Sequence, residues 1–529
     1  MSAPPQLDER QRILRYWWML ELFSPQPVPK PTGAAAAASD QRVVAWPGKG
    51  RDHRLPWERL RPPEPWNGRP RVWRHTLYLG VYELEGTYET LHRAFHDDRD
   101  AYDERPGGVS ACAGMLVDQH GRVLPESAVL SSALWAVARI RSLGARHPGW
   151  ADGFAGAQSE FVATIDASEV ERAEAADDGE PPPLDQSTVR ALLHMAHEGA
   201  GIAGVPGLAT QQVVIKSVAI PADRADDAAD IDFLNSFYLD DLETVRSRVA
   251  EEGPGAALEA YLTGDDSLDV ADRVDVIGVP SVVDAGVSLE RLPLGRWPAD
   301  PGHALALSQQ FAVNHALNDL AGVRGLMGVN GPPGTGKTTM LRDILAGNVV
   351  ERARRLAALT HPEDAFTTVR HDWNQGDYRR QVPGLRAELT GFEMVVASAN
   401  NAAVDNVTVE IPSTAAIKGW PGRADYFADI ATEVLRAGDD AAHDGEQLRA
   451  WGLVAARLGN KRNRGAFRRA FWFDETDPRT KQRIPGKPPR MDSTLEQWAD
   501  GTVPCTSWAD ARGVLGGRGA GRAADRRAS

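Results

Sequence analysis

Eight consecutive residues carry most of the chemistry available to this chain: Gly331-Pro332-Pro333-Gly334-Thr335-Gly336-Lys337-Thr338, followed by Thr339. They fit G-x-x-x-x-G-K-[ST], the spacing with which a backbone wraps a row of phosphates. Gly334 and Gly336 can take the positive φ that turns successive N–H groups into one concavity. Pro332 and Pro333 stiffen the approach and remove donors that would otherwise need partners. A helix beginning at Lys337 aims the positive end of its dipole at the same point. Lys337 is placed to neutralise β- and γ-phosphates and the Thr338 hydroxyl to hold Mg²⁺, so these two are the candidate catalytic residues and Thr338 the metal ligand. The implied cofactors are ATP and Mg²⁺, with Gly331 through Thr339 as the contact set.

Such a loop needs a strand before it and a helix after it. Gly325-Leu326-Met327-Gly328-Val329 reads as a buried strand, and Met340, Leu341, Ile344, Leu345 and Val349 as the apolar face of a helix. About one helix upstream stands Ser308-Gln309-Gln310-Phe311-Ala312-Val313-Asn314-His315-Ala316-Leu317. Gln309 can present its amide to the N6 and N7 edge of adenine, the bidentate pairing that Asn and Gln make with this base. Downstream, Phe392-Glu393-Met394-Val395-Val396-Ala397 reads as a second buried strand, running into Ser398-Ala399-Asn400-Asn401-Ala402-Ala403-Val404-Asp405-Asn406-Val407. Small and amide residues at that turn suit backbone contact with a nucleic-acid strand across the top of a parallel sheet, with Asn400 and Asn401 as the candidate contacts.

Taken in order, the three segments resemble the superfamily 1 helicases, in the branch of the nonsense-mediated-decay and Okazaki-fragment-processing enzymes. SQQFAVNHAL is similar to that branch's Q motif, GPPGTGKTT to its motif I and ASANNAAVDNV to its motif Ia, over residues 303–410. Ala399 and Asn400 stand where many relatives carry a proline and a serine. The resemblance implies a RecA-like motor domain that couples ATP hydrolysis to movement along single-stranded DNA or RNA. In it Gln309 would read adenine, Lys337 and Thr338 would hold phosphates and Mg²⁺, and residues near Asn400 and Asn401 would touch the nucleic-acid backbone.

Phosphoryl transfer needs an aspartate for the Mg²⁺ shell, a group that orients water, and arginines for the transition state. The best Asp-Glu pair is Asp474-Glu475, after Phe471-Trp472-Phe473, but the residues before it look like a basic helix, and a loop after that helix is the better reading. Residues 461–490 hold ten Lys and Arg against three acids, with Phe467, Phe471 and Trp472 among them: either a nucleic-acid-facing segment or a solvated basic helix whose rings belong to the core. No room remains after residue 490 for a second RecA-like domain, so the expectation is a truncated or frame-disrupted form of a longer helicase. Two other functions stay open. A non-enzymatic nucleotide- or nucleic-acid-binding remnant fits the missing carboxylates. A ring-forming AAA+ remodelling ATPase shares GPPGTGKT, but it places Asp-Glu at the end of the next motif-bearing strand, where this chain has Ser398-Ala399-Asn400.

The 529 residues are too many for one core. Hydrophobic residues make up 42% and charged residues 25%, ordinary values for a globular protein. No window approaches the apolar length of a membrane span, and the start carries no secretory pattern. Cys112 and Cys505 lie far apart without metal spacing, which points to the reducing cytoplasm. A net charge of −14 argues against a surface that binds nucleic acid everywhere, though not against a local basic patch. The expected fold class is α/β: an incomplete RecA-like P-loop parallel sheet preceded by an α+β accessory region. The expected partition is an aromatic helix and linker over 1–45, an α+β accessory domain over 46–170, and an acidic, proline-rich linker over 171–188. A second accessory region follows over 189–295, then the P-loop domain over 296–490 and a low-complexity, disordered tail over 491–529. The stripe Tyr16, Trp17, Trp18, Phe23 is expected to dock on the body of the protein, and His75, His92, His96 and His120, lacking ligand spacing, to be surface or core residues.

Overall fold

The computed structural model describes residues 5–515 apart from 33–39, 48–53, 66–67, 69, 96–106, 148, 178, 226–233, 265–270, 272, 298–303, 333, 376–377, 399–400, 418–424, 438–447, 460, 478 and 481. The chain divides into two units, residues 1–255 and 256–529. It is a mixed α/β protein, and among the described residues no helix is long and apolar enough to cross a membrane.

The first unit is organised by a five-stranded antiparallel sheet of order β1-β5-β2-β3-β4, formed by β1 (Gln41–Trp46), β2 (Arg71–Glu83), β3 (Val109–Val117), β4 (Val129–Leu130) and β5 (Val213–Pro221). Its helices are α1 (Pro5–Leu22), α2 (Pro56–Arg59), α3 (Leu84–Phe95), α4 (Ser132–Leu143), α5 (Phe154–Glu174), α6 (Gln186–Gly199) and α7 (Tyr238–Glu252). Trp73, His75, Leu77 and Leu79 are buried at alternate positions of β2. Gly80, at φ +63°, then interrupts the alternation: Leu77, Leu79 and Tyr82 enter the main core, whereas Tyr78 and Val81 join a smaller cluster with Val43, Val214 and Leu234. The main core is closed by Leu134 and Val137 of α4 and by Val189, Leu192 and Leu193 of α6. Ser131 caps α4 by accepting from the Leu134 N–H, and Asp185 caps α6 by accepting from the Thr188 N–H at 2.8 Å.

Part of the aromatic face of α1 docks on this body: Leu22 is buried in the main core, with Trp18, Met19 and Phe23 packed against it, whereas Tyr16, expected in the same stripe, is exposed. His75 is buried, facing Ser217 across the β2–β5 pairing with Nδ1 and Oγ 2.8 Å apart; burial lowers its pKa to about 4. His92 is half-buried and His120 exposed, while His96 lies outside the described residues. The acidic stretch 171–188 does not divide this unit. Leu184 is buried, its N–H donates to the Gly121 carbonyl at 2.7 Å, and Trp57 Nε1 donates to the Leu184 carbonyl at 2.9 Å. The next strand, β5, lies between β1 and β2 in the same sheet. A proline-rich, charged composition is compatible with a loop laid over a core when its few apolar residues find a pocket.

The second unit contains α8 (Ala256–Tyr261), α9 (Pro280–Gly286), α10 (Leu307–Asp319), α11 (Lys337–Ala357), β6 (Phe366–Gln375), β7 (Tyr378–Leu385), α12 (Asn401–Glu410), α13 (Ala428–Ala437), α14 (Lys461–Trp472) and α15 (Met491–Ala499). Among its described residues the only strands are β6 and β7, which pair with each other. The buried strands expected at 325–329 and 392–397 are not formed: both stretches are irregular, Leu326 and Val329 are exposed, and Val395 is 93% exposed. A parallel strand persists only where neighbours take its N–H and C=O groups, and among the described residues no strand flanks these runs. The tail expected to be disordered from 491 is likewise structured as far as 515. Met491 is buried, the Trp498 ring lies 6.0 Å from Phe427, and Arg512 Nε donates to the Ala357 carbonyl at the end of α11 at 2.9 Å. Residues 516–529 lie outside the described set.

Candidate phosphate-binding loop

Local sequence builds this site without help from a sheet. Gly334 and Gly336 have φ of +81° and +78°, a conformation that side-chain-bearing residues rarely adopt. Gly336 is the N-cap of α11, and no side chain caps that helix. The Thr339 N–H donates to the Gly336 carbonyl at 3.0 Å, and no side chain covers the N–H groups of Lys337 and Thr338 before it. Thr335 closes the loop by donating from Oγ1 to the Pro332 carbonyl at 2.8 Å. Pro333 lies outside the described residues.

Lys337 folds back over the loop. Its ammonium donates to the Gly331 carbonyl and, at 3.0 Å, to the Pro332 carbonyl. The ammonium thus sits at the mouth of the loop on carbonyls that offer it only partial negative charge, contacts that a phosphate would outcompete. Lys337, Thr338 and Thr339 are exposed on the first turn of α11. Met340 and Asp343, one turn on, are buried and fix the helix in place; Asp343 accepts from Arg296 Nε at 3.0 Å and from the Trp297 N–H at 3.2 Å.

Gln309 is brought to the loop by the packing of α10 on α11, where Gly347 makes room for the Leu317 side chain. Its Oε1 accepts from the Ala306 N–H at 2.9 Å, satisfying the start of α10, and its Nε2 donates to the Thr335 carbonyl at 2.8 Å. A Cβ on Gly336 would overlap the Gln309 amide as it stands, so a substitution there would displace that side chain besides straining the positive φ. Sequence reading assigned Gln309 to adenine; the structure joins it to the loop backbone, a bond that sequence offsets do not reveal. Comparison of the chain with protein-family models, with curated proteins and with solved structures finds no match.

The third segment is only partly placed. Asn400 lies outside the described residues, and Asn401 opens α12, its side chain undescribed. The α12 helix is held near α11 through the Arg342–Glu410 ion pair and through Val407, which packs with Leu345 and Ala346 beside Trp297 and Ile411.

Asp474 and Glu475 follow a helix, not a strand, and their charges are already engaged. Asp474 accepts from the Arg490 N–H at 2.6 Å and from Ser493 Oγ at 2.8 Å, holding the start of α15. Arg490, buried, reaches Glu433 at 2.8 Å and Glu475 at 3.3 Å, and Lys487 stands 3.5 Å from Glu475. Burial alone would raise the Glu433 pKa, but the Arg490 guanidinium outweighs it and holds the carboxyl below its ordinary value. The pair is a structural clamp among α13, α14 and α15. The rings of the basic segment go the same way: Phe467 and Phe471 stack at 5.3 Å and pack with Trp472 against Ile430, Val434 and Met491. They belong to the core. Among the described residues no group of three or more His, Cys, Asp or Glu is arranged to hold a metal.

Proposed function

We propose that this chain binds ATP as the first motor portion of a superfamily 1 DNA or RNA helicase or translocase, with single-stranded nucleic acid as its track. One observation carries the reading: a loop with two positive-φ glycines opens onto the uncapped start of α11, with Lys337 folded over it and Gln309 fastened to its backbone. The residues fit a phosphate chain with Mg²⁺. Backbone amides of the loop would receive phosphate oxygens, Lys337 would move from the Gly331 and Pro332 carbonyls onto the β- and γ-phosphates, and Thr338 would share Mg²⁺ with them. Bound Mg·ATP would supply a transferable phosphoryl group. The finer architecture, a RecA-like parallel sheet, belongs to this proposal, although residues 325–329 and 392–397 are irregular. So does a cytoplasmic location.

A second reading, nucleotide binding without turnover, is favoured by one specific observation: Asp474 and Glu475 are spent on Arg490, Ser493 and Lys487. A nucleotide-dependent shift in thermal unfolding tests the shared core of both readings. ATP at a hundred times its Kd stabilises the binding unit by about 2.7 kcal/mol. The expected outcome is a clear shift for the wild type and its loss in Lys337→Ala; equal shifts in the two proteins would sink the proposal. Mg²⁺-dependent turnover well above that of Lys337→Ala separates the motor from the binder.

A further inference from the structure

The β6–β7 hairpin stands apart from the rest of its unit. Its base is tied down, with Phe366 opposite Leu385 and the Arg386 N–H donating to the Ala365 carbonyl at 2.9 Å. Beyond the base, the described side chains from Thr367 to Asn374 and from Tyr378 to Val382 are exposed on both faces. A two-stranded ribbon with two wet faces has no core of its own and is marginal in water, so side chains held open on it call for a ligand.

The register sorts those side chains. Residues directly opposite share a face, which places His371 with Val382 and Trp373 with Arg380, and puts Tyr378 on that same face two residues from Arg380. Trp373 is 49% and Tyr378 70% exposed, and the Arg380 guanidinium lies 5.6 Å from the Tyr378 ring centroid. The other face carries Arg370, Asp372, Asn374, Arg379 and Gln381, with Arg379 paired to Asp372 at 3.3 Å. Residues 366–386 hold four arginines against two aspartates, a basic element in a chain of net charge −14.

We propose that the aromatic face of this hairpin binds single-stranded nucleic acid, Trp373 and Tyr378 stacking on bases while Arg380, on the same face, meets phosphates. Rings interleaved with guanidinium groups match the two properties every strand offers, a π-face on each base and a charge on each phosphate. A protein partner would be met better by aliphatic side chains, of which this face has Val382 alone among its central positions. The choice of a nucleic-acid strand rests on the functional reading above, but the hairpin shares no residue with the phosphate loop, so the two can fail separately.

The test uses the full chain with fluorescently labelled oligothymidylate and oligouridylate. It measures anisotropy over a series of salt concentrations, the nucleotide-dependent thermal shift in parallel, and self-association by sedimentation. Trp373→Ala with Tyr378→Ala is expected to weaken strand binding by about tenfold or more, the scale of losing stacked bases. Trp373→Phe with Tyr378→Phe should largely restore it, and Arg380→Gln should lower the salt slope by about one. The nucleotide shift should be unchanged in all three. Strand binding equal in wild type and the alanine variant overturns the proposal and leaves the nucleotide reading intact. No strand binding by a wild type that retains its nucleotide shift overturns both the hairpin proposal and the nucleic-acid half of the functional reading. Hairpin-dependent strand binding without any nucleotide shift supports the hairpin and sinks the ATP reading. Self-association lost in the alanine variant, with strand affinity unmoved, overturns the proposal in favour of a contact between copies.

Discussion

In the first unit β5 lies between β1 and β2, and β2 between β5 and β3, so the middle strands are paired on both sides and their inward side chains are buried. In the second unit two apolar runs, around Val329 and Val395, have no strand partner among the described residues, and Val329 and Val395 are exposed. The contrast separates two kinds of instruction. A glycine loop, a helix start and a hairpin need only near neighbours in sequence, and all three form in the second unit. A buried strand needs remote backbone on both sides, and where that is missing its hydrophobicity is not enough. The first unit is thus a completed sheet. The second combines locally specified parts with small helical cores, and among its described residues no sheet surrounds the loop.

This contrast can be broken most directly by truncating one apolar residue in each unit. Leu134→Ala removes a fully buried side chain from the first unit and should cost about 2–5 kcal/mol by urea unfolding. Val395→Ala should change stability by no more than about 0.5 kcal/mol, because the side chain is exposed. A large cost at Val395 would mean that it is buried in a strand in solution, and the two units would then be alike.

A smaller effect probes the completed core through His75. Burial holds its folded pKa at about 4, below the ordinary value of 6.5, so it is neutral when folded. As the pH falls below 6.5 the unfolded chain takes up a proton that the folded chain refuses, and stability declines until the pH nears 4. The loss attributable to this residue is at most roughly 3 kcal/mol. Denaturant midpoints measured across that window should fall more steeply in wild type than in His75→Phe; an unchanged slope would place the cause elsewhere.

The smallest effect concerns helix starts. Asp185 occupies the N–H groups of α6, and the hydrogen bonds from Thr188 and Ser187 draw its pKa down to about 2. Asp185→Ala should cost about 1 kcal/mol, the worth of an N-cap. The α11 start has a glycine instead and no side chain over it, the difference between a helix end that is closed and one left for a ligand. If Asp185→Ala were neutral, that distinction would lose its energetic basis.

Much of this was legible beforehand. The spacing 331–338 located the loop and the helix after it, and the stripe on α1 announced a helix that docks through Trp18 and Phe23. Besides the strands expected at 325–329 and 392–397, two readings went astray and one element was missed, for identifiable reasons. The charge and prolines of 171–188 suggested a boundary, but the burial of Leu184 ties that stretch to the body. The glycine- and arginine-rich end suggested disorder from 491, yet Met491 and Trp498 find apolar neighbours across the α13–α15 packing. The hairpin at 366–385 was not foreseen at all, because its exposed strands lack the apolar alternation by which strands are recognised.

Sequence alone therefore settled the conformations that depend on a few adjacent residues: positive φ at Gly334 and Gly336, the helix that follows, and the ammonium group beside them. Tertiary structure decided everything that depends on which distant groups meet. It fastened Gln309 to the loop, committed Asp474 and Glu475 to Arg490, and left Val395 in water. The physical reason is range. Steric limits on φ and the satisfaction of a turn act within a few residues, whereas burial and charge pairing are properties of contacts that no stretch of chain contains by itself.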